Sequence, residues 1–155
     1  MKPAPAYWLI KSEPKVFSID ALKAEKITHW DGVRNYAARN HMQAMKLGDL
    51  ILFYHSSTEP VGVAGVAKVC KKAYPDYTAF DSASVHYDPR SNKGAPTWFM
   101  IDMSFLEKFK HRVLLSELKA QPELKNMTLF RQGRLSVQPV TKAEFELIRK
   151  LGRNG

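Results

Sequence analysis

Apolar residues in this chain come in short runs broken by turn-forming residues, and most of the runs read as strands. Tyr7–Lys11 is a compact apolar segment stopped by Ser12-Glu13-Pro14, a strand running into a turn. Gly48-Asp49 leads into a strongly apolar strand, Leu50–His55. A second strand covers Val61–Cys70, where Gly62 and Gly65 predict a sharp bend or bulge. Trp98–Phe109 alternates Phe99, Ile101, Met103 and Phe105 with Met100, Asp102 and Ser104, so one face is continuously apolar. Arg134–Val137 is expected as the last strand, closed by Pro139, and Trp30-Asp31-Gly32 as a strand end or loop.

The helical signals are shorter. Ser18 offers a cap for a helix to about Glu25, and Asn35–Met45 lacks Gly and Pro and fits a helix. Ser116 is expected to cap a helix toward Ala120, with a short helical or irregular piece over Leu124–Arg131. Thr141-Lys142-Ala143-Glu144 is a capping box before Phe145, Ile148 and Leu151, which share a helical face. Pro75 through Pro96 has little periodicity and predicts a long ordered loop with one short helical turn, a kind of segment that is often functional. Strands outnumber helices. The expected class is α+β, a single domain over residues 1–155 built as an incomplete β-barrel of short, mostly antiparallel strands with flanking short helices.

Charge changes this picture toward a polyanionic partner. Twenty-four Lys and Arg against fifteen Asp and Glu leave a formal +9, which favours phosphate contacts through long-range attraction and counterion release. The 45% hydrophobic content is ordinary for a globular protein. Cys70 is the lone cysteine, so no internal disulfide and no cysteine-based metal site is expected. Met1–Pro14 reads as neither signal peptide nor anchor, and the longest apolar stretch, Val61–Ala67, is far short of the ~20 residues a spanning helix needs. A soluble, cytoplasmic, monomeric protein without a membrane partner is expected. His29, His41, His55, His86 and His111 are scattered, and no glycine-rich phosphate loop is present, so neither metal nor cofactor is expected.

Four polar clusters lie at the ends of predicted strands. Lys11-Ser12-Glu13 ends the first strand. Trp30-Asp31-Gly32-Val33-Arg34-Asn35 sets an indole among a carboxylate, a guanidinium and an amide just before a helix, a set hard to bury without pairing. Tyr54-His55-Ser56 tips the third strand; adjacent strand residues point apart, so His55 and Ser56 suit a hydrogen-bonding rim better than a catalytic pair. Arg134 and Ser136, two apart on a strand, would share a face.

These blocks, in this order, resemble one family. Tyr7–Pro14, Trp30–Tyr36 with Ala38-Arg39-Asn40, Gly48-Asp49 with Phe53–Ser56, Tyr74-Pro75-Asp76, and Arg134–Val140 are similar to the EVE domain family over Tyr7 to Ile148. Phe17 departs from the pattern, standing where the family more often has Tyr. A form without the long N-terminal extension of nuclear relatives, similar to the bacterial proteins, is expected. The resemblance implies a PUA-like fold, related to YTH, ASCH and SRA domains, with a concave pocket suited to modified bases in DNA or RNA.

The expected function is a nucleic-acid-binding module, not an enzyme. A base would stack on Trp30, with Ser12, Asn35, His55 and Ser136 reading polar edges. Lys11, Arg34 and Arg134 would hold the backbone or complete the pocket, which also takes in Asp31, Tyr54 and Ser56. Two other readings stay open: a small hydrolase of modified nucleosides using Lys11 and Glu13, and a general RNA-binding module indifferent to modification.

Overall fold

The computed structural model describes residues 4–58 and 60–154, so residues 1–3, 59 and 155 of the expected span lie outside the described residues. Six strands form one mixed sheet: β1 (Tyr7–Ser12), β2 (Ile27–Trp30), β3 (Leu50–His55), β4 (Gly62–Pro75), β5 (Phe99–Leu114) and β6 (Val137–Val140). Their order is β2-β5-β4-β3-β1-β6. Only β1 and β3 pair in parallel; the other neighbours are antiparallel. The sheet curls without closing, and β2 and β6 remain its edges.

The apolar runs have a simple cause: the central strands are buried on both faces. Trp8, Ile10, Ile51 and Phe53 point to one side, against Ile19 and Leu22 of α1 (Ile19–Glu25) and Ala38 and Met42 of α2 (Tyr36–Ala44). Leu9, Leu52 and Tyr54 point to the other. There they meet α3 (Leu115–Lys119), α4 (Thr128–Arg131) and α5 (Lys142–Asn154) through Leu118, Leu129, Phe145 and Ile148. Alternation sends successive side chains to opposite faces, so such a strand needs apolar residues at nearly every position.

Local chemistry starts the helices. Ser18 accepts from the Ala21 amide (3.1 Å) and Asn35 from that of Ala38 (2.9 Å). Thr141 and Glu144 form the reciprocal box expected of them. The expected cap at Ser116 is replaced: α3 begins at Leu115, and Glu117 accepts from the Leu114 amide (3.1 Å).

Two strands run longer than their apolar patterns. β4 and β5 have 14 and 16 residues, and their register slips at several points. At Gly65 a Cβ would fall 2.3 Å from the Glu107 carbonyl, so glycine is needed for β5 to pass this closely. Beyond Val69 most side chains turn to solvent while backbone pairing continues, and hydrophobicity no longer marks the strand. β6 lies three residues later than expected. Residues before it form a turn whose Leu135 carbonyl accepts from the side-chain Nε2 of Gln138 in β6 (2.8 Å), and Pro139 sits within β6, as an edge strand permits.

The parallel pair has no hairpin to hold it, and Asp49 ties it. This carboxylate, 1% exposed, accepts from Ala6 N (3.0 Å), Trp8 Nε1 (3.0 Å) and Lys46 N (2.9 Å). Asp49→Ala leaves those donors unpaired and is expected to cost ~3 kcal/mol or more. Urea unfolding checks this as a drop in midpoint at unchanged slope; a change below ~0.5 kcal/mol would refute the anchor.

Candidate functional site

An open cleft of about 610 Å3 lies beside the end of β2, between the turn that follows β1 and the loop after β4. Its wall is aromatic. Trp30, half-buried, meets Phe17 and Phe53 edge-on, with ring centroids 5.9 Å apart in both cases and planes inclined by 65° and 76°. Phe17 touches Phe53 in the same manner at 6.4 Å. Neither phenyl ring stacks on the indole.

One side of the cleft is braced by an ion pair between a buried carboxylate and a part-buried guanidinium. Asp76 is fully buried and accepts from Gly32 N (2.8 Å), Thr78 N (2.9 Å), Thr78 Oγ1 (2.5 Å) and Arg34 Nη1 (3.0 Å). Burial by itself would raise its pKa, but donors from Thr78, Gly32 and Arg34 outweigh that and hold the carboxyl below its ordinary value. Arg34 also donates to His86 O from Nε (3.0 Å) and Nη2 (2.7 Å), and to Thr78 Oγ1 (3.2 Å). The guanidinium expected to meet nucleic acid is therefore engaged within the protein, although it lines the cleft. Gly32 has φ +78°, and a Cβ there would fall 2.6 Å from His86 Nε2, so glycine is required for this ring to lie against the chain.

Lys11, Ser12, Trp30, Asp31 and Ser136 also line the cleft. Ser12 donates its hydroxyl to Phe17 O, closing the turn after β1. Lys11 Nζ donates to Gly133 O and lies 5.8 Å from the Tyr54 ring centre; burial lowers its pKa. Asp31 Oδ2 is 3.5 Å from His29 Nε2. With Glu13 and Glu25, three carboxylates line a cleft in a protein of formal charge +9.

The remaining expected site residues lie outside this lining. Tyr54 belongs to the opposite face of the sheet, because β3 alternates and Phe53 takes the cleft side. His55 is 2% exposed, covered by α1, and its Nε2 accepts from Ile19 N (3.0 Å). Ser56 uses its backbone amide to donate to Ser12 O (2.9 Å). Asn35 is the α2 cap, and Arg134 is exposed in the turn before β6, where it shares no strand face with Ser136. Lining residues that the pattern did not single out include Thr28, His29 and His86. Asp76 carries a readable signal, since Asp-x-Thr is a cap pattern and Asp76 caps the turn Tyr77–Phe80. His86 carries none, lying in a loop without periodicity. Among the described residues no three His, Cys, Asp or Glu side chains gather as a metal site, and no helix is long and apolar enough to cross a membrane.

Comparison with known proteins places the fold. A model of the EVE domain matches residues 6–151. The chain is 44% identical to human thymocyte nuclear protein 1 over 170 residues, covering 97% of this chain and 76% of that protein. The structure of a hypothetical protein from Leishmania major superposes with a TM-score of 0.93 at 50% identity, covering 96% of this chain and 95% of that one. Human THYN1 protein in complex with 5-methylcytosine-containing DNA superposes with a TM-score of 0.91 at 44% identity, covering 97% and 99% of the two chains.

His55 makes the fold under the cleft acid-sensitive. Burial first, then the Arg112 charge, lowers its pKa from 6.5 to about 4. Its Nε2 accepts from Ile19, so the ring proton sits on Nδ1, a buried atom without a partner among the described residues. The unfolded chain takes up a proton below the ordinary value while the fold resists it. The contribution is therefore present above pH 6.5 and lost as pH falls through about 4. His41, also lowered by burial, acts in the same direction. Stability is expected to fall by about 3 kcal/mol over that window, and His55→Asn, whose amide accepts without titrating, should flatten the fall. Equal slopes for both proteins in pH-dependent urea melts would refute the assignment.

Proposed function

The chain belongs to the EVE domain family, and from that footing we propose that it binds DNA carrying a modified base and holds that base in the Trp30 cleft. The observation that carries this is the half-buried indole, unstacked by any phenyl neighbour, in the wall of a cleft of about 610 Å3. That volume falls within the ordinary range for small-molecule sites. The related human THYN1 protein forms a complex with 5-methylcytosine-containing DNA, which makes the same DNA the first ligand to test here.

Cleft chemistry supports a base edge over a phosphate. Ionised carboxylates only accept hydrogen bonds, so Asp31 and Glu13 suit an exocyclic amino group such as cytosine N4 or adenine N6. Ser136 adds a hydroxyl that both donates and accepts. The protein's net positive charge serves the phosphates outside the cleft. Binding is favoured over hydrolysis by the state of Lys11: its ammonium is committed to Gly133 and the Tyr54 ring, and among the described residues no ion pair joins it to Glu13.

Trp30→Ala is expected to lower affinity for 5-methylcytosine-containing DNA by roughly 1–3 kcal/mol, the range of a base–aromatic stack. The salt dependence should stay steep, with a log–log slope of about −5 if six phosphates are neutralised. Titration by fluorescence anisotropy at several salt concentrations checks both, with melting curves confirming the fold. Unchanged affinity in a folded variant would remove the base from this cleft. Equal binding of modified and unmodified RNA would instead identify a general RNA-binding module.

A further inference from the structure

A second cleft, about 440 Å3, opens beside the first, and the two share Arg34 and His86. It belongs to the loop between β4 and β5, and that loop is firmly held. Asp88 N donates to Ala79 O (3.0 Å), Tyr87 N to Ser84 O (3.1 Å) and Trp98 Nε1 to Asp88 Oδ2 (2.8 Å). Trp98 is itself fixed, with Arg34 5.5 Å from its ring centre and Tyr36 stacked on it at 5.0 Å and 25°. These restraints nonetheless present apolar and aromatic surface to solvent: Val85 is 93% exposed and Tyr87 43%. Arg90 beside them is 91% exposed in its side chain, and its nearest carboxylate contact, to Asp88, is a loose 3.7 Å.

An exposed aromatic ring next to an uncommitted guanidinium is the pairing that holds a nucleotide, one stacking on the base and the other meeting a phosphate. Successive nucleotides of a strand are covalently linked, so the neighbour of a base held in the first cleft must lie close to it. We propose that the second cleft takes the nucleotide adjacent to the one held at Trp30, with Tyr87 stacking on its base and Arg90 on its phosphate. This rests on the reading of the Trp30 cleft given above. His86, lying against Gly32 with its carbonyl tied to Arg34, separates the two positions. Recognition then spans two consecutive nucleotides, and the identity of the neighbour affects affinity.

The test uses oligonucleotides with one 5-methylcytosine, either between natural neighbours or between abasic neighbours. Wild-type protein is expected to bind the first more tightly. Tyr87→Ala should weaken binding about tenfold with natural neighbours, within the range of one base–aromatic stack, and leave the abasic-flanked form unchanged. Arg90→Ala should weaken both, since both keep the phosphate. Trp30→Ala should also weaken both, which monitors the first cleft separately. Equal wild-type affinity for the two oligonucleotides, or a Tyr87→Ala loss that is absent or equal on both, overturns the second cleft. A Trp30→Ala variant that binds like wild type, while Tyr87→Ala behaves as expected, overturns the first cleft instead.

Discussion

The buried Asp76 carboxylate is the contact on which the cleft depends. A carboxylate taken fully out of water is tolerable only when it is paired and hydrogen-bonded, and Asp76 has four donors. Those donors come from Gly32 just past β2, from Arg34 before α2, and from Thr78 in the turn after β4. One buried charge thus ties the loop between β2 and α2 to the turn after β4, a contact that Arg34 reinforces by donating to Thr78 Oγ1. Arg34 extends the bracing by holding His86 and lying over Trp98. Removing Asp76 would take away the guanidinium's carboxylate partner and loosen the contact between the loop after β2 and the turn after β4.

The sheet supplies the rigid frame on which this bracing acts. Its central strands are covered on both faces, so β1 and β3 cannot shift without dragging two apolar layers. The parallel pairing of β1 with β3 brings Ser12 beside His55 in register. His55 then secures the start of α1, and Ser12 closes the turn that presents Phe17 to Trp30. Residues that resemble site chemistry in the sequence are here the supports that place the aromatic wall.

Charge is divided in a way that suits the proposed ligand. The chain is strongly basic as a whole, yet Glu13, Glu25 and Asp31 line the cleft, and its Arg34 is already paired. Phosphates are attracted by the molecule but find little to hold them inside the cleft. A neutral heterocycle with amino groups finds acceptors and an indole. This separation of backbone attraction from base selection is how nucleic-acid readers combine affinity with specificity.

Much was legible in local pattern. The apolar runs located β1 and β3, cap residues located α1 and α5, a stretch free of Gly and Pro located α2, and five ordered blocks pointed to the EVE family. Each of these depends on residues close together in the chain, where alternation, helical periodicity and capping act. What side chains do once buried was not legible. Tyr54 and His55 differ by one position, yet strand parity sent them to opposite faces and α1 then covered the histidine. Arg34 reads as a free cation until Asp76 and His86, more than forty residues away, claim it. The sequence by itself determined β1, β3, α1, α2, α5 and the family, and it marked Trp30, which lies in the wall of the cleft. The tertiary structure alone decided which polar groups remain free for a ligand, because hydrogen-bond partners and burial are set by contacts between distant segments that no local pattern encodes.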